Sequence, residues 1–428
     1  MTAMNISPRK NDWRLRTPGP LAWADRLQPG HTEKYLLVSC DNHANEPLDF
    51  LSSRVDERYR DRLPHIRTEP DGTQWLISEG QPPQPVRVPE SRRELLPTQE
   101  AFESFEVMAT YTDKMEDEDI LRQAAGRSLE QRIKDRRSQG TDAELIFPQK
   151  GLLCFATPDV AFSGAMCRAW NRWAKEFFGS DFDRSLPMAL ITPGDVDEAI
   201  REVQWAAQNG FHGVLMPNRP IYNRTDQPRH QLEYNDKAFE PLWAAIEEAG
   251  LPITLHVGAG LDPRAVRGRG QAITTAICHS SLTTIEPMVQ LIASGVFEQH
   301  PGLRVVTIES GVGWLGWLAN QLDSYAKTHH MWVRPVLPET PSFYLRRNCA
   351  ATFIEEAELL PGLIELGFED NLLWSSDYPH HEGVFPYTRE SIERQLDSFT
   401  EEQRAKMLGL NAARIFNVEV GPDTAKAE

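Results

Sequence analysis

Eight short apolar runs punctuate this chain, each separated from the next by a stretch with helical periodicity. They are Tyr35–Cys40, Ala143–Phe147, Leu186–Ile191, Gly213–Met216, Ile253–His256, Leu303–Ile308, Ala350–Phe353 and Asn371–Ser375. Runs of four to eight apolar residues without polar alternation suit strands covered on both faces, as in a parallel sheet. Between them, residues 195–209 place Val196, Ala199, Ile200, Val203 and Ala207 on one face, with Asp195 as N-cap and Gly210 as stop. Residues 238–249 end at Gly250 in the same way. Strand and helix alternating eight times predict an α/β protein, a (β/α)8 TIM barrel.

Such a barrel needs about 250 residues, and the chain has 428. Length alone suggests two or three domains; the strand count predicts instead one barrel over 31–419 with long βα insertions. The largest insertion is 44–142, with a Pro-rich stretch at 79–90 and a charged helical segment at Met115–Ser138. Others are Gly258–Ser281, Met216–Lys237 and Gly311–Asn348, and the tails 1–30 and 420–428 are peripheral. A hydrophobic fraction of 40% suffices for a large core, and a net charge of −17 speaks against nucleic acid or an anionic membrane as partner. The five cysteines form no C-x-x-C pair, which excludes a thiolate zinc site and a disulfide scaffold. No apolar run reaches the ~18 residues of a membrane span, and no secretory leader opens the chain. The expectation is a cytoplasmic protein.

In this architecture function lives at the C-terminal ends of the strands. The first strand runs into Asp41-Asn42-His43, with Glu46 three residues on. The fifth ends in His256, the sixth in Glu309, and the eighth in Asp377, followed by Tyr378-Pro379-His380-His381. Three carboxylates converging on one buried cavity would repel one another and lose their hydration. A divalent cation resolves that conflict, and the convergence of four strand tips points to a metal centre.

These residues resemble a family. Ser39-Cys40-Asp41-Asn42-His43-Ala44-Asn45-Glu46-Pro47 is similar to the opening S-x-D-x-H-x-x-E-P of the amidohydrolase-2 branch of the amidohydrolase superfamily. That branch contains metal-dependent TIM-barrel hydrolases and decarboxylases related to aminocarboxymuconate semialdehyde decarboxylase. Further matches are Cys167–Trp173, Pro252–His256, Ile308–Gly311 with Trp314, Ser376–His380 with Glu382-Gly383, and Asn411–Arg414. Two departures stand out. Asp41 occupies the first position of what is H-x-H in better-known members, and Glu309 stands where they carry a histidine after the sixth strand. The resemblance implies a ligand set of Asp41, His43, His256 and Asp377, with Glu309 at its edge or as a further ligand. Two histidines with carboxylates suit Mn²⁺ or Fe²⁺ as well as Zn²⁺.

Three chemistries are open to such a centre. In hydrolysis, Asp377 takes the proton of a metal-activated water, and Glu309 or His380 orients or protonates the substrate. In decarboxylation the metal clamps a small carboxylate-bearing substrate, and an acid protonates the carbon left behind. The resemblance also extends to Mn/Fe monooxygenases, which would enlist Glu46, Glu309 or His279 for a second metal. A structural subunit beside an active paralogue is the non-enzymatic alternative. Self-association into a dimer or larger oligomer is expected, with Trp314 and Trp317 lining the pocket mouth or a subunit interface. Arg264, Arg267 and Arg269 are read as a solvated loop, Trp170, Trp173, Phe177 and Phe178 as helix core, and Cys40 as barrel packing.

Overall fold

A computed structural model describes residues 24–28, 34–47, 49–81, 83–87, 125–220, 233–260, 270–380 and 382–421. All eight expected strands form. They are β1 (Val38–Ser39), β2 (Ala143–Ile146), β3 (Ser185–Pro187 and Ala189–Leu190, interrupted at Met188), β4 (Val214–Leu215), β5 (Ile253–His256), β6 (Val305–Ile308), β7 (Cys349–Phe353) and β8 (Leu372–Trp374). Each is buried along its length, which is why the sequence shows no polar alternation.

Neighbouring strands pair in parallel in chain order. The ring closes where Cys40 N donates to Trp374 O at 3.0 Å and Asp377 N donates to Asp41 O at 2.9 Å, with a bridge between Asn42 and Tyr378. The chain is a (β/α)8 barrel. Register then dictates what meets at its mouth: Ile308 of β6 lies opposite His256 of β5, so Glu309 begins one step beyond that histidine.

The helices follow their caps. Val196–Gln208 starts at Asp195, whose side chain accepts from Glu198 N, and Gly210 leaves it at φ 76°. Glu240–Ala249 ends at Gly250, in the left-handed region that glycine enters without a Cβ penalty. Val160–Phe177 buries Trp170 and Trp173 as helix core, and Cys40 is fully buried.

The insertion after β1 departs from expectation in two places. The Pro-rich stretch contributes a strand, Gln84–Arg87, to a three-stranded antiparallel meander with His65–Thr68 and Gln74–Ile77. The charged segment Met115–Ser138 is broken at residues 125–128, and its helix within the described residues spans Leu129–Ser138. Residues 125–128 form a turn through Gly126 at φ 68°, and Ser128 caps the helix by accepting from Gln131 N. Residues 115–124 lie outside the described residues. So do Arg264, Arg267, Arg269 and His381. Among the described residues no helix is long and apolar enough to cross a membrane.

Candidate metal centre

Six side chains from four strand tips meet at the barrel mouth. Asp41 and His43 follow β1, His256 ends β5, Glu309 follows β6, and Asp377 and His380 follow β8. Asp41 Oδ1 lies 3.4 Å from His256 Nε2 and 3.6 Å from His43 Nε2. Asp377 Oδ1 lies 3.4 Å from His43 Nε2 and 3.0 Å from His380 Nδ1, and Glu309 Oε2 is 3.6 Å from His256 Nε2. One donor atom each from Asp41, His43, His256 and Glu309 falls within a 4.8 Å span.

Two of these residues reach the mouth through left-handed backbone, Glu309 at φ 61° and Asp377 at φ 53°. Non-glycine residues rarely enter that region, and each costs of order 1–3 kcal/mol. The surroundings hold them there. Glu309 N donates to Thr352 Oγ1 at 3.0 Å, and Asp377 N to Asp41 O. The chain after Asp377 folds back so closely that a Cβ on Gly383 would sit 2.5 Å from Asp377 O and 2.6 Å from Ser376 O.

The imidazoles are anchored from behind. His43 Nδ1 faces Pro148 O at 3.3 Å, and His256 Nδ1 faces Val257 O at 2.6 Å. A carbonyl oxygen only accepts, so Nδ1 carries the proton in both rings and Nε2 presents a lone pair to the cluster. Metal-ligating histidines use this arrangement. Both oxygens of Asp41 and of Asp377, together with Nε2 of His43 and His256, are buried without a hydrogen-bond partner. Buried polar atoms are otherwise almost always satisfied, so this concentration of orphaned donors fits a cation.

The electrostatics agree. Burial pushes Asp41 and Asp377 up to about 7 and Glu309 up to about 8, since carboxylates crowded together away from water hold protons in place of a cation. His43 and His256 are held below the usual imidazole value, chiefly by burial, and stay neutral as ligands must. His380 goes the other way. Burial opposes its charge, but the neighbouring carboxylate of Asp377, with those of Glu309 and Glu382, raises it to about 9.

Two expected site residues are placed elsewhere. Glu46 is buried, but its carboxylate accepts from the backbone N–H groups of Gln149, Lys150 and Gly151 and from Trp170 Nε1, all at 3.0–3.1 Å. Its carboxylate is engaged by that turn, and it belongs to none of the ligand clusters among the described residues. His279 lies in the π-helical stretch Thr275–Ser281 and belongs to none of the ligand clusters among the described residues.

Other contributors escaped the sequence reading. Arg132 reaches from the helix of the first insertion to bind buried Glu144 through both carboxylate oxygens at 2.7 and 3.0 Å, and donates to His43 O at 2.7 Å. Gln149 Oε1 holds His380 Nε2, and Tyr378 donates to Asp135. Beside Glu309 a cavity of about 270 Å³ is bordered by Thr352, Ile354 and Glu382.

A family model described as Amidohydrolase matches residues 109–418. The chain belongs to the amidohydrolase family. Asp41 and His43 precede the matched range, and the seating of β1 between β8 and β2 is what brings them to this site. A gamma-resorcylate decarboxylase from a Rhizobium species is 25% identical over 306 residues, spanning 67% of this chain and 88% of that protein. The 5-carboxyvanillate decarboxylase of Sphingomonas paucimobilis is 26% identical with a TM-score of 0.55, over 67% of this chain and 82% of that one. A dihydroxybenzoic acid decarboxylase from a Polaromonas species, solved with bound manganese and 2-nitroresorcinol, is similar in fold. It is 16% identical with a TM-score of 0.57, over 90% of this chain and 97% of that one. These relatives favour the decarboxylase reading over the oxygenase and the structural subunit.

Proposed function

We propose that this protein is a divalent-metal-dependent decarboxylase of a small aromatic acid of the hydroxybenzoate class. The observation that carries the reading is the set of buried donors on Asp41, His43, His256 and Asp377 with no hydrogen-bond partner. These four would hold the ion, and the names of the relatives supply the substrate class. Nitrogen and carboxylate donors in equal number suit Mn²⁺, with Fe²⁺ and Zn²⁺ as alternatives. When bound, the ion would supply Lewis acidity toward the substrate's oxygen atoms.

The chain's own residues do the rest. Glu309 borders the small cavity at the edge of the ligand set, where burial favours the protonated form of its carboxyl. It is placed to give that proton to the ring carbon as the C–C bond breaks and CO2 leaves. His380 Nδ1 faces Asp377 Oδ1 at 3.0 Å, and the other side of its ring is held by Gln149. Thr352 fixes the strained backbone of Glu309. The sequence reading left the proton donor unassigned because Glu309 replaces a histidine; its place beside the cavity supports it as that donor.

The reading includes a single barrel domain over 31–419, a cytoplasmic location and self-association. Trp317 is 60% exposed and Trp332 75%, on the helix Trp314–Thr328 and the turn that follows it. Trp314 is half-buried, its Nε1 on Gly311 O. Light scattering after gel filtration tests the oligomer. The function is tested by loading purified protein with Mn²⁺ and following CO2 release from a panel of hydroxybenzoates with and without O2. O2-independent CO2 release that vanishes in Asp41→Ala and His256→Ala supports the proposal. O2 consumption, hydrolysis without CO2, or full activity in both variants overturns it.

A further inference from the structure

The N-terminal end of the barrel, opposite the metal centre, gathers three arginines that the chemistry above does not use. Arg304 immediately precedes β6, and Arg347 lies in the last turn of the helix Pro341–Asn348, which runs directly into β7. Register sets these two starts side by side: Val305 lies opposite Cys349, and Asn348 Nδ2 donates to Leu303 O at 2.8 Å. Arg414, on the helix Asn411–Phe416, donates to Asp370 O at 2.6 Å. That anchor is just before β8, whose Leu372 lies opposite Ala351 of β7.

Each guanidinium spends only part of its donor set, and spends it on uncharged oxygens. Arg304 Nη1 donates to Pro301 O at 2.8 Å and to Leu303 O at 3.0 Å. Arg347 donates to Phe297 O and, at 2.8 Å, to Asn348 Oδ1. Among the described residues none of the three is ion-paired with a carboxylate, whereas Arg132, Arg172 and Arg394 each hold one. The carboxylate that acts on Arg304, that of Glu247, already accepts from His300 Nδ1 at 2.8 Å and from Gly302 N at 2.6 Å. Asp370 Oδ1 faces Lys406 Nζ at 3.2 Å.

Like charges gathered in this way repel, and a half-buried guanidinium also gives up hydration. Arg304 registers both, since burial and then the charges of Arg414 and Arg347 hold it below the ordinary guanidinium value. An anion would cancel the repulsion and take the unused N–H groups. Guanidinium forks match the oxygens of a phosphoryl group in charge and in geometry. In a chain of net charge −17 the surface as a whole repels anions, so this cluster is a local exception.

We propose that Arg304, Arg347 and Arg414 form a binding site for a phosphoryl group on the N-terminal face of the barrel. The bound oxyanion ties the starts of β6 and β7 to the helix Asn411–Phe416. The site is independent of the decarboxylase reading, because Arg304 and Glu309 lie at opposite ends of β6.

The test titrates inorganic phosphate and glycerol 3-phosphate calorimetrically into the full-length protein, with sodium chloride at equal ionic strength as the control. One phosphoryl group per chain and a rise in Tm are expected for the wild type. The double variant Arg304→Met, Arg347→Met should bind about ten- to a hundredfold more weakly. Arg414→Gln, at an exposed position, should bind several-fold more weakly with unchanged circular dichroism. Asp41→Ala should bind as the wild type does, which separates this site from an anion held at the metal centre. Binding of either compound that the arginine variants weaken supports the site, and a preference for the monoester assigns it to phosphorylated small molecules rather than free phosphate. Binding of neither by the wild type, unchanged affinity in the arginine variants, or loss of binding in Asp41→Ala overturns it. If the double variant does not fold, Arg414→Gln decides.

Discussion

Asp377 N donates to Asp41 O at 2.9 Å, so the hydrogen bond that helps close β8 onto β1 also sets two carboxylates side by side. Barrel closure and metal-site assembly are therefore one event, and metal should be linked to stability. The sign follows from the shifts. Asp41 and Asp377 are raised to about 7, Glu309 to about 8 and His380 to about 9, so without metal the folded state holds more protons than the unfolded chain at these groups. Their stabilisation is complete at low pH and lost as pH rises through those values. His43 and His256, held low, act oppositely only below the ordinary imidazole range. Between about pH 6.5 and 8.5, the Tm of metal-stripped protein should fall, and the gain in Tm on adding Mn²⁺ should widen. Calorimetry across that range checks this; a gain that shrinks with pH would refute it.

Gly383 is where the loop after β8 leaves no room. An added Cβ would press on the carbonyls of Ser376 and Asp377, backbone atoms that cannot rotate away. Gly383→Ala should shift Asp377, cost about 1–3 kcal/mol, and weaken Mn²⁺ binding although no ligand has changed. Urea denaturation and isothermal titration measure the two effects.

How much of this the sequence displays depends on range. The eight strands are legible because burial on both faces writes itself as an unbroken apolar run, as in Leu303–Ile308. The strand tips are legible because Asp41, His256 and Glu309 directly follow or end such runs and Asp377 lies one residue beyond its own. Direction is not legible. Glu46 lies three residues past His43, yet the turn at Gln149–Gly151, about a hundred residues on, captures its carboxylate. Gln149 and Arg132 were invisible for the same reason, since nothing local to either marks its partner. Charge extends through Met115–Ser138 without marking a boundary, whereas Gly126 and the Ser128 cap set the start of the helix Leu129–Ser138.

The capture of Glu46 yields a separation of roles. Glu46→Ala should cost about 1–3 kcal/mol, because it strands three backbone N–H groups and the Trp170 indole. Metal affinity should stay within a few-fold of wild type. Loss of the metal with stability unchanged would return Glu46 to the ligand set.

Arg132 offers the most stringent test of how the first insertion supports the site. Its guanidinium is buried, grips Glu144 through both oxygens and holds the carbonyl of His43. Removing one partner of a buried pair leaves an uncompensated charge, at about 3–5 kcal/mol. Arg132→Met should therefore destabilise by that amount, and Arg132→Met with Glu144→Leu should recover much of it, because the orphaned carboxylate is gone. Recovery of metal affinity should be smaller. The second substitution repairs the charge at Glu144 but leaves the His43 carbonyl without its donor, and that bond is what ties the β1 tip to the insertion helix. Equal recovery of stability and of Mn²⁺ affinity in the double variant would show that Arg132 acts through Glu144 alone.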